Sequence, residues 1–350
     1  GRLMKAILKY KRIAGIVIAA VLLFLSFHDL DREIIGDILS EANYWMLIPA
    51  AIAAFAINVF KALRWRIIID PVKTISVRNM LSIFWVGQTV NVSLPVLTGQ
   101  AARILLVAKR ADLPKTYCAT TVLLEVLFDG ISLLILMAAS STVVVFPGWL
   151  ANSGLLAGGV LAVLLTLFLL IVHNRRKIRV FGRRRFKVRY PRLFEKIRHV
   201  SRSFADALDM LKSTRHTFLT AIFSLCLWAS HALVIIFLIK SLGITIPLVG
   251  AIVILVVNSV LLMFPITPGN LGTFQIACVF SMTTLFNVPK ENAVSFSIVL
   301  HLLDLVPIFM GGLLFLYLDH MRFSELREEA LGESEDPCKD NGQEVAVEGD

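Results

Sequence analysis

Apolar residues along the chain fall into long blocks separated by short charged stretches. The blocks at 13–27, 44–69, 116–145, 150–172, 218–239 and 293–318 are each long enough, or nearly so, for a helix to cross a bilayer core of about 30 Å. Two further apolar regions are interrupted. One breaks at NVSLPVLTGQAAR, Asn91 to Arg103, and the other at FPITPGNLGTF, Phe264 to Phe274. The second break sets Pro265, Pro268, Gly269 and Gly272 within eight residues, which no α-helix accommodates, because proline removes an amide donor and glycine loosens the backbone. In hydrocarbon each unpaired backbone group costs several kcal/mol, so such a break persists only where protein or a water-filled cavity covers it. Each break is therefore a candidate binding site.

Composition fixes the class. With 57% hydrophobic residues among 350 and a mean hydropathy of +0.77, the chain carries more apolar surface than one globular core can bury. Cys118, Cys226, Cys278 and Cys338 are scattered, with no CxxC and no histidine at metal spacing, which argues against a disulfide framework or a zinc site. No metal, cofactor or nucleic-acid partner is expected.

Charge sets the topology. Lys5, Lys9, Lys11 and Arg12 precede the first block, which reads as a signal anchor with its N-terminus in the cytoplasm; the acidic loop after it suits the outer face. Lys61, Arg64 and Arg66 mark the cytoplasmic end of the second span. Basic residues stand on both sides of the Asn91–Arg103 break, Lys73 and Arg78 before it and Lys109, Arg110 and Lys115 after. A hairpin that enters from the cytoplasm and returns obeys the positive-inside rule, whereas a full crossing violates it. Residues 174–202 hold thirteen Lys or Arg against one acid, a net +12, more than the +10 of the whole chain. Leu193, Ile197, Val200, Phe204, Leu208 and Leu211 follow at helical spacing. The basic loop 174–216 reads either as an amphipathic helix on anionic lipid or as a solvated topology-setting loop. Residues 321–350, with ten acids and three bases, form an acidic disordered cytoplasmic tail behind a single transmembrane domain spanning 1–320. With the last span ending inside, the second broken segment is a hairpin inserted from the outer face.

The two breaks correspond. Leu94 to Gly99 and Phe264 to Gly269 both read apolar, Pro, three residues including threonine, Gly, and they lie 170 residues apart, close to half the chain. The expectation is an all-α polytopic membrane protein with about six transmembrane helices plus two re-entrant helical hairpins in an inverted repeat. Transporters built this way place the substrate where the breaks meet. Half-helices beginning after Gly99 and after Gly269 would aim free amides and positive dipole ends at the membrane centre, favouring an anion. Arg103, one turn past Gly99, adds a formal cation, and a phosphate-bearing headgroup is the obvious anion in a bilayer.

RWR at Arg64 to Arg66, the series Asn91, Pro95, Gly99 and Arg103 at N-x3-P-x3-G-x3-R, Glu125 with Asp129, and P-x2-PG-x2-G at Pro265, Pro268, Gly269 and Gly272 together resemble the flippase-like membrane region of lysylphosphatidylglycerol synthases and its stand-alone relatives. The resemblance covers roughly Tyr44 to Asp319. It implies movement between leaflets of a polar lipid, such as an aminoacylated phospholipid or a lipid-linked saccharide, without synthesis. Two positions depart from the pattern: Val126 stands where the family usually has arginine, and Gln275 where it often has glutamate.

The remaining candidates carry alternatives. Glu125 and Asp129 share one helix face inside a span and either hold the hairpin through ion pairs to Arg103 or Arg64, or meet a cationic headgroup or relay protons. Arg64 and Arg66 are read as interfacial, anchoring or touching substrate. His301 and Asp304 form the symmetry-related polar lining, either a hydrogen-bonded pair or a titrating site. Asn258 and Gln275 are placed to line the second hairpin; His231 is read as a core histidine. The leading function is a flippase or scramblase-like transporter of the inner (cytoplasmic) membrane, with both termini cytoplasmic and a membrane lipid as partner. The alternative is a non-transporting subunit that presents lipid to a glycosyltransferase or synthase through the basic loop. A homo-oligomer is compatible with either. An enzyme is not expected, since no nucleophile and base stand at usable spacing.

Overall fold

A computed structural model of the chain describes residues 31–93, 98–142, 213–262 and 267–320, with isolated positions within 17–26 and 148–159. The described residues are helical throughout, with no strand among them. Helix α1 is Arg32–Ser40, α2 Tyr44–Ile69, α3 Val77–Ser93, α4 Thr98–Ala111, α5 Lys115–Ser140, α6 Thr214–Ser241, α7 Leu248–Leu261, α8 Thr273–Phe286 and α9 Lys290–Leu318, with a 3-10 turn at Pro268–Asn270. Four of these, α2, α5, α6 and α9, are long and apolar enough to cross a membrane. They expose Ile52, Ile135, Leu225 and Leu313 by 61 to 72%, a surface suited to lipid and not to water. The expected spans at 13–27 and 150–172 lie, isolated positions apart, outside the described residues, as do the basic segment 174–212, the tail, and Pro95 and Pro265.

Helices α2 and α6 pack antiparallel along their length. The Asn43 amide donates to the Ser241 carbonyl (2.8 Å) at one end, and His216 Nε2 stands 3.3 Å from Asp70 Oδ2 at the other. Helices of 14 to 17 residues, about 21–26 Å, are too short to cross alone, and they fold back in pairs. In the first pair Ser82 meets Arg110, and a Cβ on Gly87 would overlap the Arg103 side chain, so α3 and α4 form an antiparallel hairpin with its base at the Asp70 end. In the second, Gly250 lies against Phe286 and Asn258 against Cys278, an antiparallel hairpin of α7 and α8 with its base at the Asn43 end. The tips meet. The 3-10 turn packs on α3, with Gly269 beside Val92.

Each hairpin leans on the last helix of the opposite half: α3 packs on α9, and α7 on α5. At the first of these contacts Gly311 and Gly312 admit Trp85 and Thr89 of α3, and Thr89 Oγ1 reaches the Ile308 carbonyl at 3.1 Å. Two apolar clusters follow the two ends. One gathers Trp65, Ile68, Phe84, Val107 and Tyr117 around the first hairpin, the other Ile57, Leu238, Ile254, Phe274 and Phe296 around the second.

Several boundaries move from the sequence expectation. The acidic loop contains α1, whose N-cap Asp31 accepts from the Glu33 amide (2.9 Å), and its Ile38 and Leu39 cover the second cluster. Helix α9 begins at Lys290, inside NVPKEN, because Pro289 presets the first turn and Glu291 suits the positive end. Helix α5 stops at Ser140, short of 145.

Candidate functional site

The second break is built by its own side chains. Gly269 (φ 59°), Asn270 (φ 56°) and Gly272 (φ 82°) take left-handed backbone, which turns the chain within one 3-10 turn. Thr267 Oγ1 donates to the Leu271 carbonyl (2.8 Å) and Thr273 Oγ1 to the Asn270 carbonyl (2.9 Å). Helix α8 begins at Thr273, not directly after Gly269, and the Gly272 amide donates to Gln275 Oε1 at 2.7 Å. One amide expected to be free for an anion is thus capped from within. Gln275 Nε2 in turn lies 2.8 Å from His301 Nδ1, and His301 Nε2 lies 2.9 Å from the Gly269 carbonyl. A ring that accepts at Nδ1 and donates at Nε2 satisfies both contacts, so the neutral imidazole fits this position. His301, stacked on Phe274 at 4.6 Å, ties the break to α9. Its bonded partner is Gln275 and not Asp304.

The first hairpin is tied by charge. Arg103 Nη2 donates to Glu125 Oε2 at 2.7 Å, Nη1 to Gln100 at 3.2 Å, and the guanidinium lies 4.4 Å from the Trp65 ring centre and 4.8 Å from that of Phe84. Both charged side chains are at most 7% exposed. Of the two readings of Glu125 this is the ion pair that holds the hairpin; it neutralises the Arg103 charge expected to meet phosphate, and the rings cover its planar faces. Arg64 is corrected too. It is 1% exposed, deep between α2, α5 and α6, because Asp129 of α5 takes it in a two-pronged pair and Ser224 accepts at 3.2 Å; it is no interfacial anchor. Arg66 Nε donates to the Ile75 carbonyl (2.5 Å) and fixes the α2–α3 connection. Asn91, in the last turn of α3, donates to Gln88 at 3.3 Å. Gly99 lies in the first turn of α4, and Pro268 opens the 3-10 turn.

Between α2, α5, α6, α7, α8 and α9 lies a partly open cavity of about 250 Å³. Its polar lining is Lys61, Asp129, Trp228, His231, Asn258, Ser259 and Asp304, and its apolar lining includes Leu227, Leu255, Phe274 and Leu300. Asn258 Nδ2 donates to Cys278 Sγ (3.0 Å), while Asn258 Oδ1 and Trp228 Nε1 are buried without a partner. The cavity thus joins Asp129, Asn258 and Asp304 of the expected site with Lys61, Trp228 and His231, which lie outside that expectation. In the sequence Lys61 belongs to the basic cluster at the helix end, although an ionisable residue eight positions inside a span is itself a signal. His231 lines this cavity, 5.9 Å from the Trp228 ring, and is not sealed in a core.

Residues 12–312 match the model of the lysylphosphatidylglycerol synthase transmembrane region. No curated protein and no solved structure matches. A match over this share of the chain, together with four bilayer-length apolar helices, settles its class: it is a multi-pass membrane protein belonging to the lysylphosphatidylglycerol synthase transmembrane region family.

Proposed function

We infer that the protein is a lipid transporter, flippase or scramblase-like, that carries a polar lipid headgroup between leaflets while the acyl chains stay in lipid. The observation that carries this reading is the pair of helical hairpins that enter from opposite ends of the bundle, meet at Val92 and Gly269, and stand beside a polar cavity at mid-depth. Exchange of α2 with α6, α3 with α7, α4 with α8 and α5 with α9 maps the packing of one half onto that of the other, the arrangement of an inverted repeat. On this reading the hairpins are re-entrant, and 13–27 and 150–172 complete six spans. The Asp70 end, with Arg66, Lys73, Arg78, Lys109, Arg110 and Lys115, faces the cytoplasm of an inner-membrane protein, against Lys240 and Lys290 at the other end. Rocking of one half against the other would open the cavity to each leaflet in turn.

The test is reconstitution of the purified chain into vesicles with acyl-labelled fluorescent lipids of several headgroups. Faster equilibration of at least one lipid than in protein-free vesicles supports transport. No acceleration of any lipid would favour instead a subunit that presents lipid to a partner enzyme.

A further inference from the structure

The cavity holds two ionisable side chains of opposite sign, neither of them in contact with a partner. Among the described residues neither Lys61 nor Asp304 makes a hydrogen bond or an ion pair within 4 Å, although both line the same space. Asp304 is the midpoint of α9, fourteen residues from either end, so its carboxylate lies at membrane depth. Ionisable groups there are expensive unless they meet a partner or water. Asp129, the other acid in the lining, already has both oxygens on Arg64. Two of the lining residues also carry a buried polar atom without a partner, the donor Trp228 Nε1 and, on a residue 5% exposed, the acceptor Asn258 Oδ1.

Resting on the transport reading above, we propose that this cavity takes the headgroup of a zwitterionic phospholipid bearing a primary amine, its phosphate toward Lys61 and its ammonium toward Asp304. A purely anionic headgroup leaves Asp304 facing a like charge. A purely cationic one leaves Lys61 in that position. A phosphate joined to an ammonium by a short arm answers both, with Trp228 Nε1 as a second donor for the phosphate and Asn258 Oδ1 as a second acceptor for the amine. A quaternary amine keeps the charge but has no N–H to give either acceptor. Size agrees. At about 250 Å³ the cavity is just below the roughly 300–1,000 Å³ of sites for drug-sized ligands, which suits one phosphate and a short amine arm better than a saccharide chain.

The experiment is binding to the purified full chain in detergent, read by native mass spectrometry with dioleoyl lipids bearing phosphoethanolamine, phosphocholine or phosphoglycerol headgroups. Wild type is expected to bind the phosphoethanolamine lipid at least tenfold more tightly than the phosphoglycerol lipid, with phosphocholine between. D304N is expected to erase that preference, and K61M to weaken both lipids about tenfold. Equal or tighter binding of the phosphoglycerol lipid by wild type overturns the proposal without recourse to any variant, and so does a well-folded D304N that keeps the preference. The vesicle assay separates the two levels. Selective binding with no lipid movement sinks transport and leaves the cavity's selectivity standing; movement of lipids without selective binding does the reverse.

Discussion

Arg64 and Asp129 meet end-on across α2 and α5, Nη1 to Oδ1 at 2.6 Å and Nη2 to Oδ2 at 3.0 Å, yet the two partners are unequally buried: the arginine is 1% exposed and the aspartate 36%. The inequality predicts an asymmetric response. D129N leaves a guanidinium buried beside a weaker partner, and breaking a buried pair in this way costs about 3–5 kcal/mol. R64M leaves a carboxylate that can rotate into the cavity, and loses chiefly charge-assisted hydrogen bonds worth about 1.5–3 kcal/mol. Thermal unfolding of both variants in detergent should therefore rank D129N as the less stable. Equal melting temperatures would show that Arg64 gains little from its acid.

Arg103 and Glu125 differ in kind, since both are buried and the guanidinium also lies over Trp65 and Phe84. R103K keeps the charge but loses the flat stacking surface, at a cost of about 2 kcal/mol for a desolvated cation–π contact. If the pair only fastens α4 to α5, the double variant R103M/E125M should melt above either single variant, because apolar residues of similar volume replace a buried ion pair at little cost. It should also move lipid at a rate within about threefold of wild type in vesicles. A stable double variant that moves none would return Arg103 to the path of the substrate.

The breaks in the hydrophobic pattern were legible because proline and glycine act locally: the chain must turn near Pro95 and Pro268 whatever surrounds it. The partners of Glu125 and Asp129 were legible as a short list, since few cations stand at comparable depth. Lys61 was not, because a lysine three residues before Arg64 in a run of basic residues reads as the end of a span until α6 and α9 are seen to close around it. His231 was hidden for the same reason: the ionisable residues that share its cavity are Lys61, 170 residues earlier on α2, Asp129 on α5 and Asp304 on α9. The start of α8 at Thr273 was hidden by Gln275, whose side chain reaches back to cap Gly272. Even so, the departure of Gln275 from the family's acid is intelligible once seen. A neutral amide can accept from Gly272 and donate to His301 at the same time, and a carboxylate cannot do both.

The seat of the first hairpin on α9 depends on a missing side chain. A Cβ on Gly312 would overlap Thr89 Oγ1 and lie 2.8 Å from the Thr89 Cβ. G312A should destabilise by about 1–3 kcal/mol through overpacking. Adding T89A should recover only part of that loss, because removal of the hydroxyl leaves the second close approach in place. Melting temperatures of the single and double variants decide it, and a neutral G312A would mean that α3 and α9 are not held at this distance.

At the base of that hairpin Asp319, the C-cap of α9, ties that helix to two others: to Arg110 of α4 at 2.8 Å, and on α3 to Arg78 at 3.4 Å and the Ser82 hydroxyl, which donates to it. Partial burial pushes the Asp319 carboxyl up, but the hydrogen bonds from Ser82 and Arg110 and the charges of Arg110 and Arg78 outweigh it and hold its pKa below the usual carboxylate value. A folded-state pKa below the unfolded one, about 3.9, means that the contribution is complete above that value and disappears as pH falls through the folded pKa. D319N should thus melt below wild type by a constant margin from pH 7 to about pH 5, and the two curves should converge as the pH drops below about 4. A margin that persists undiminished to pH 3 would show that Asp319 contributes shape and not charge. Added salt gives an independent check: the arginines are partly exposed, so the margin at pH 7 should narrow as ionic strength rises.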